Sequence, residues 1–323
     1  MICIVTGAAG FIGSHVCRRL LRDKHFVIGI DSFTDDYPRW IKERNLTALL
    51  PDKNFEFVAK DLDDLDLPDL LGRAESVFHL AAKAGVRASW GQSFTQYIKN
   101  NVLNTQRLLE AAKGGVLKKI VFASSSSVYG ATPDLPMKET SPVAPMSPYG
   151  VTKLAAEKLC DLYFRNYGVP AVSLRYFTVY GPGQRPDMAF HKFFRAIHED
   201  REITVFGDGR QTRDFTFVAD IVEANLAALA AGRPGEAYNI GGGHRETLEN
   251  LFPLLGEICG KKPAIRRVDK QKGDVPDTWA NIDKARKDLD YAPRTELAEG
   301  LRLEWEWIQS LYQAGQFTHE GRS

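Results

Sequence analysis

The chain has 323 residues, of which 44% are hydrophobic and 26% charged, and its formal net charge is only +1. That length suits one large α/β domain or two smaller ones, since a single core stops growing near ~250–300 residues. The balanced charge gives no general attraction to nucleic acid or to an anionic membrane, so an anionic ligand must be held by local clusters.

The four cysteines, Cys3, Cys17, Cys160 and Cys259, stand far apart without metal-ligand spacing. This argues against a metal site and for a reducing, cytoplasmic setting. The chain enters a strand at Ile2 with no basic or apolar leader, and no uncharged run reaches the ~18 residues of a spanning helix. A soluble protein is expected.

The first predicted elements are a strand at Ile2–Thr6 and a helix over 11–23, joined by a turn containing Gly7, Gly10 and Gly13 with Phe11 and Ile12 between them. A glycine loop directly after a strand and opening a helix suits a dinucleotide pyrophosphate, with Gly13 letting the helix pack close. The second strand, Phe26–Ile30, ends on Asp31. A carboxylate there can accept both hydroxyls of an adenosine ribose and repel a 2′-phosphate, favouring NAD over NADP. A helix cap is the other reading of Asp31, because Ser32, Asp35 and Asp36 crowd the same loop.

Further strands are predicted at 55–58, 76–80, 118–123 and 171–175, with helices between most of them. Right-handed crossovers should then build a doubly wound parallel sheet of Rossmann type. Asp61, Leu62, Leu80, Ala81 and Ala82 lie at strand ends from which they can meet adenine and ribose, and His79 reads as a satisfied structural histidine. Residues 1–180 are read as the cofactor domain. After Gly181 a smaller C-terminal α/β lobe is expected over 181–323, interleaved with the first because 237–240 reads as a strand that can return to the main sheet.

The chemistry-bearing run is Ser124-Ser-Ser-Ser-Val-Tyr129, followed twenty residues later by Tyr149-Gly-Val-Thr-Lys153. Tyr149 and Lys153 stand at i and i+4 on one helix, so an ammonium can favour a phenolate. A tyrosine with a pKa of about 10 is a poor base at neutral pH, and bringing it to near 7 takes about 4 kcal/mol of preferential phenolate stabilisation. Alone, such a pair is mostly a surface feature of a helix.

With the glycine loop at this separation, the combination resembles the Ser-Tyr-Lys site of extended short-chain dehydrogenases/reductases over nearly the whole chain. The resemblance implies Tyr149 as acid/base, Lys153 lowering its pKa and binding the nicotinamide ribose, Ser125 as hydroxyl partner, and Asn100 as a cofactor-site or structural asparagine. Members that dehydrate carry an Asp-Glu pair in the serine loop, and those that decarboxylate a uronate carry a glutamate two residues before its tyrosine. Here Ser126 and Ser127 occupy those positions. Without a carboxylate to complete elimination or assist decarboxylation, hydride return remains, which is epimerisation.

The stretch from Arg175 to Met188 and the run Ala84-Gly-Val-Arg87 look like those of UDP-glucuronate 4-epimerases. Thr178 stands where many hexose epimerases carry asparagine, and its hydroxyl, with those of Ser126 and Ser127, suits a C6 carboxylate. Capping of nearby backbone groups is the alternative use of these hydroxyls. Arg185 and Arg213 are candidates for the pyrophosphate, Arg87 for the sugar carboxylate, and Asp274 for the uridine ribose. Where relatives carry Arg-x-Gly-Asp this chain reads Gln271-Lys-Gly-Asp274, so Lys272 is a possible substitute. Helices over 95–112 and 149–167 resemble the pair through which family members form homodimers. A UDP-hexose 4-epimerase, and an NAD-bound regulatory protein without turnover, are the competing readings.

Overall fold

Seven short strands, apolar on both faces, require cover on both sides, which a parallel sheet between two helical layers provides. The computed structural model describes residues 1–270 and 273–317; Lys272 lies outside them. The chain begins β1 (Ile2–Thr6), α1 (Phe11–Arg22), β2 (Phe26–Ile30), α2 (Arg39–Leu46), β3 (Phe55–Val58), α3 (Leu67–Gly72) and β4 (Ser76–His79). Next come α4 (Phe94–Tyr97), α5 (Asn104–Ala111), β5 (Lys119–Ser125), α6 (Pro148–Tyr167) and β6 (Ala171–Tyr176). The remainder runs β7 (Val179–Tyr180), α7 (Ala189–His198), β8 (Ile203–Phe206), β9 (Thr212–Phe217), α8 (Val218–Ala231), β10 (Ala237–Ile240), β11 (His244–Thr247), α9 (Leu248–Cys259), β12 (Ile265–Val268), α10 (Asp283–Leu289) and α11 (Leu297–Gln313).

The main sheet has the order β10-β6-β5-β4-β1-β2-β3, and all its pairings are parallel. The chain starts in the middle, winds outward through β2 and β3, then crosses back to β4. Strand order therefore reverses between β1 and β4, and the crevice outside their carboxyl ends is where such sheets bind ligands. Alternation along β1 divides the core: Cys3 and Val5 join one apolar cluster, while Ile4 joins the other with Ile28, Val77, Ile120 and Phe122.

Ala237–Ile240 pairs with β6 inside this sheet. The other strands make a three-stranded sheet, β11-β9-β7, and a two-stranded one, β12-β8. Tyr180, Phe190, Phe215 and Phe217 pack their rings together beneath them, with centroids 4.9 to 6.3 Å apart.

Two local differences from the sequence expectation bear on the site. Strand β5 runs on to Ser125 rather than stopping at 123. The helix expected over 95–112 is interrupted by a π-helical stretch at Ile98–Leu103; such bulges rotate the residues after them and gather at functional sites.

Candidate active site

The turn after β1 leaves no room for a side chain at Gly7 or Gly13. Gly7 has φ +75°, and a Cβ on Gly13 would lie 2.0 Å from the Gly7 carbonyl oxygen. Gly10 caps α1, with no side chain accepting its first amides and no acidic residue in the first turn. The N–H groups opening this helix, among them those of Phe11 and Ile12, therefore face the crevice as an anion site.

Asp31 is not a helix cap. Its carboxylate accepts from the N–H groups of Ala9 at 3.2 Å and Phe33 at 2.9 Å, and the ammonium of the buried Lys42 lies 3.6 Å away. The glycine cradle, the uncapped helix end and a carboxylate closing β2 fit the pyrophosphate and adenosine ribose of NAD.

At the end of β4, the Thr6 hydroxyl accepts from the Ala81 N–H at 3.1 Å and bonds His79 Nδ1 at 2.8 Å. This ties down the turn through Leu80, Ala81 and Ala82. Burial brings the His79 pKa to about 3, and its Nε2 meets Thr105 Oγ1 at 3.0 Å. Histidine 79 is thus a neutral, fully bonded structural group. Asp61 accepts from the Asp63 N–H at 3.1 Å and faces Lys99 at 3.6 Å, while Leu62 is buried in the core.

Two neighbouring asparagines of the π-helical stretch behave differently. Asn100 donates back to its own helix at the Gln96 carbonyl, 2.9 Å away. Buried Asn101 instead accepts from the Lys83 N–H at 2.8 Å and donates to the Lys83 carbonyl at 2.9 Å and the Thr152 hydroxyl at 3.0 Å. It joins the loop after β4 to α6. The π-helical turn sets which of the two faces inward, and nothing in the sequence marks that turn.

Helix α6 opens with Ser147 accepting from the Gly150 N–H at 3.1 Å and Pro148 in the first turn. This presents Tyr149 to the end of β5. The Tyr149 hydroxyl faces Ser125, whose side chain favours the phenolate, and Ser125 Oγ accepts from the Ser127 N–H at 3.1 Å. Burial raises the Tyr149 pKa, and the Ser125 side chain and the Arg185 guanidinium oppose that rise. Lys153, one helical turn further along α6, donates from its ammonium to the Ala123 carbonyl at 2.8 Å. Burial brings the Lys153 pKa itself down to about 7. Tyr97, which the sequence did not suggest, stands edge-on to Tyr149 with ring centroids 6.3 Å apart. Its hydroxyl donates to the Ala84 and Gly85 carbonyls at 3.1 and 2.9 Å.

Ser126 and Ser127 lie half-buried in the short 3₁₀ turn after β5. Thr178 sits between β6 and β7, where its carbonyl accepts from the Thr216 N–H at 2.9 Å. The three arginines divide between two places. Arg185 pairs through two bonds of 2.9 Å with Asp187 and acts electrostatically on Tyr37 and Tyr149. Arg87 pairs with Asp274 at 2.7 and 3.3 Å and stacks its guanidinium 4.1 Å over the Phe206 ring. Arg213 donates to the carbonyls of Thr212, Val275 and Pro276 at 2.7, 2.8 and 3.1 Å and feels the charges of Asp274 and Arg87. Arg185 is therefore at the Tyr149 end, and Arg87 belongs with Arg213 and Asp274.

Fold and site define an NAD-dependent enzyme of the extended short-chain dehydrogenase/reductase class acting on nucleotide sugars. The model of the NAD dependent epimerase/dehydratase family matches residues 3–241, and the chain belongs to that family. It is 39% identical over 312 residues to a UDP-glucuronate 4-epimerase of Thermodesulfobacterium geofontis, covering 94% of this chain and 95% of that one. It is 48% identical over 317 residues to a Bacillus subtilis protein described as an uncharacterized UDP-glucose epimerase, covering 97% and 99% of the two chains. The crystal structure of UDP-glucuronic acid 4-epimerase from Bacillus cereus, in complex with UDP-glucuronic acid and NAD, superposes with a TM-score of 0.94 at 44% identity, covering 97% of this chain and all of that one (100%).

Proposed function

We propose that the chain interconverts UDP-glucuronate and UDP-galacturonate at C4. The observation that carries this reading is the meeting of Ser125, Tyr149 and Lys153 at the crevice beside a serine turn without a carboxylate, in a chain 44% identical to the Bacillus cereus enzyme. Bound NAD supplies reversible hydride acceptance at C4 and is unchanged over a full cycle. The Gly7–Gly13 turn, Asp31, Asp61, Leu62 and the residues 80–82 hold its adenosine and pyrophosphate, with Asn101 rather than Asn100 bracing the loop beside it.

Tyr149 Oη takes the O4 proton and later returns it, and Ser125 Oγ orients that hydroxyl. Lys153, one helical turn from Tyr149 on α6, would donate to the nicotinamide ribose. A 4-ketouronate is a β-keto acid that loses carbon dioxide when its carboxylate bond aligns with the carbonyl π-system. Ser126, Ser127 and Thr178 hold that carboxylate out of alignment through hydroxyl donors. Arg87 and Arg213 bind the diphosphate, for which planar guanidinium donors are suited. Asp274 accepts from the uridine ribose, and Arg185 adds positive charge at the reacting end.

The 48% identity to the protein described as a UDP-glucose epimerase supports a second reading, a UDP-hexose 4-epimerase. Incubating the purified protein with UDP-glucuronate or UDP-glucose, without added NAD, and following the sugar by proton NMR separates the two. UDP-galacturonate is the expected product. A pentose means decarboxylation, and turnover of UDP-glucose alone favours the second reading.

In the lobe arrangement we favour, residues 1–180 with strand 237–240 form the cofactor side and the rest the sugar-nucleotide side. Leu103, Val151, Leu162 and Tyr167 are exposed on or beside α5 and α6, which supports a homodimer through these helices. Four free cysteines suit the cytoplasm.

A further inference from the structure

A buried charged network lies directly behind the proton-handling pair. Ile120, Phe122 and Ser124 alternate on the face of β5 that meets α6, so the apolar contact ends on a hydroxyl. Ser124 Oγ donates to Glu157 Oε2 at 2.7 Å. Glu157 follows Lys153 and Tyr149 along α6 at four-residue steps, and all three reach consecutive residues of β5. Glu157 holds Ser124, Lys153 holds the Ala123 carbonyl, and Tyr149 meets Ser125.

Glu157 is itself held. Arg175, which stands opposite Ser124 in the β5–β6 register, donates to its two oxygens at 2.5 and 3.0 Å. Both side chains are almost wholly inside, 5% and 6% exposed. The remaining guanidinium nitrogen donates to the Tyr129 hydroxyl at 2.7 Å, and that hydroxyl donates to Asn239 of β10 at 2.6 Å. One polar row thus crosses three neighbouring strands and ends on α6.

Stability alone does not account for such a row, because a buried ion pair is often no more stabilising than well-packed apolar residues of the same size. A satisfied polar network does specify one arrangement out of several, since a strand displaced by one residue turns every side chain to the other face. For β5, that displacement would replace Ser125 beside Tyr149 by Ser124 or Ser126.

We infer that Glu157, clamped by Arg175, is a positioning residue that acts through Ser124 to hold Ser125 in line with the Tyr149 hydroxyl. Its carboxylate is buried against Ser124 and Arg175. The inference rests on the roles proposed above for Ser125 and Tyr149.

The test is a double-mutant cycle on kcat and KM with Ser124→Ala and Glu157→Gln. Ser124→Ala removes one hydroxyl and leaves the ion pair intact, so the fold is kept. A misplaced hydroxyl should lower kcat on the order of ten- to hundredfold, with KM within about twofold. The doubly substituted protein should be no slower than the slower single variant, because both changes break one device. Wild-type kcat in a folded Ser124→Ala protein, a loss confined to KM, or effects that multiply would each overturn the inference. If Glu157→Gln does not fold, Ser124→Ala decides alone. Tyr149→Phe keeps the two levels apart: activity retained there sinks the proposed roles, whereas activity abolished there with wild-type kcat in Ser124→Ala sinks only the positioning role.

Discussion

Replacing Lys153 by methionine should make the protein more stable and abolish its activity. The Lys153 ammonium is buried with the Ala123 carbonyl as its hydrogen-bond acceptor, and burial takes its pKa from 10.5 to about 7. Such a displacement corresponds to about 5 kcal/mol of preference for the neutral amine. Methionine has similar length and no charge to desolvate, and it gives up a hydrogen bond worth about 1 kcal/mol. A net gain of about 1–4 kcal/mol is expected near pH 7.

The sign of the pH dependence separates this cause from simple repacking. Between about pH 7 and 10.5 the unfolded lysine holds a proton that the folded one has released. Wild-type stability from this group therefore rises with pH through that window, and below it the full cost remains. The advantage of methionine should shrink by about 2 kcal/mol from pH 7 to pH 9. Urea unfolding of nucleotide-free protein at several pH values measures the difference directly. A variant that is less stable throughout, by an amount independent of pH, would refute a burial cost at Lys153.

Gly13→Ala places a methyl 2.0 Å from the Gly7 carbonyl oxygen, so the turn must open; NAD retained after gel filtration should fall below a tenth of wild type. His79, with its pKa brought to about 3, should show no imidazole NMR titration from pH 5 to 8, and a titration in that range would mean its bonds to Thr6 and Thr105 are absent. Arg213→Ala removes the donor to three carbonyls around 212 and 275–276. KM for the nucleotide sugar should rise at least tenfold with kcat changed less than threefold, and a loss in kcat alone would place Arg213 at the reacting end instead.

The elements carrying strong local signals were legible without coordinates. Periodic apolar runs marked the strands and helices of the doubly wound sheet. The loop at Gly7–Gly13 was readable because its demand is steric and local, and the Tyr149–Lys153 pair because helical geometry alone puts i and i+4 together. The position of Asp31 at the end of β2 was readable from the strand pattern.

Contacts that depend on how elements meet were not readable. Sequence could count arginines, but the packing of loops placed Arg185 beside Tyr149 and Arg87 beside Asp274. A π-helical turn selected Asn101 over Asn100, and the depth at which α6 lies on β5 directed Lys153 to a backbone carbonyl. The Ser124–Glu157–Arg175 row joins residues up to 51 positions apart, which only strand register and the crossing of α6 bring within hydrogen-bond distance. Local sterics and periodicity act over a few residues and are written in the chain, whereas burial, register and the partner of each charge are properties of the assembled molecule.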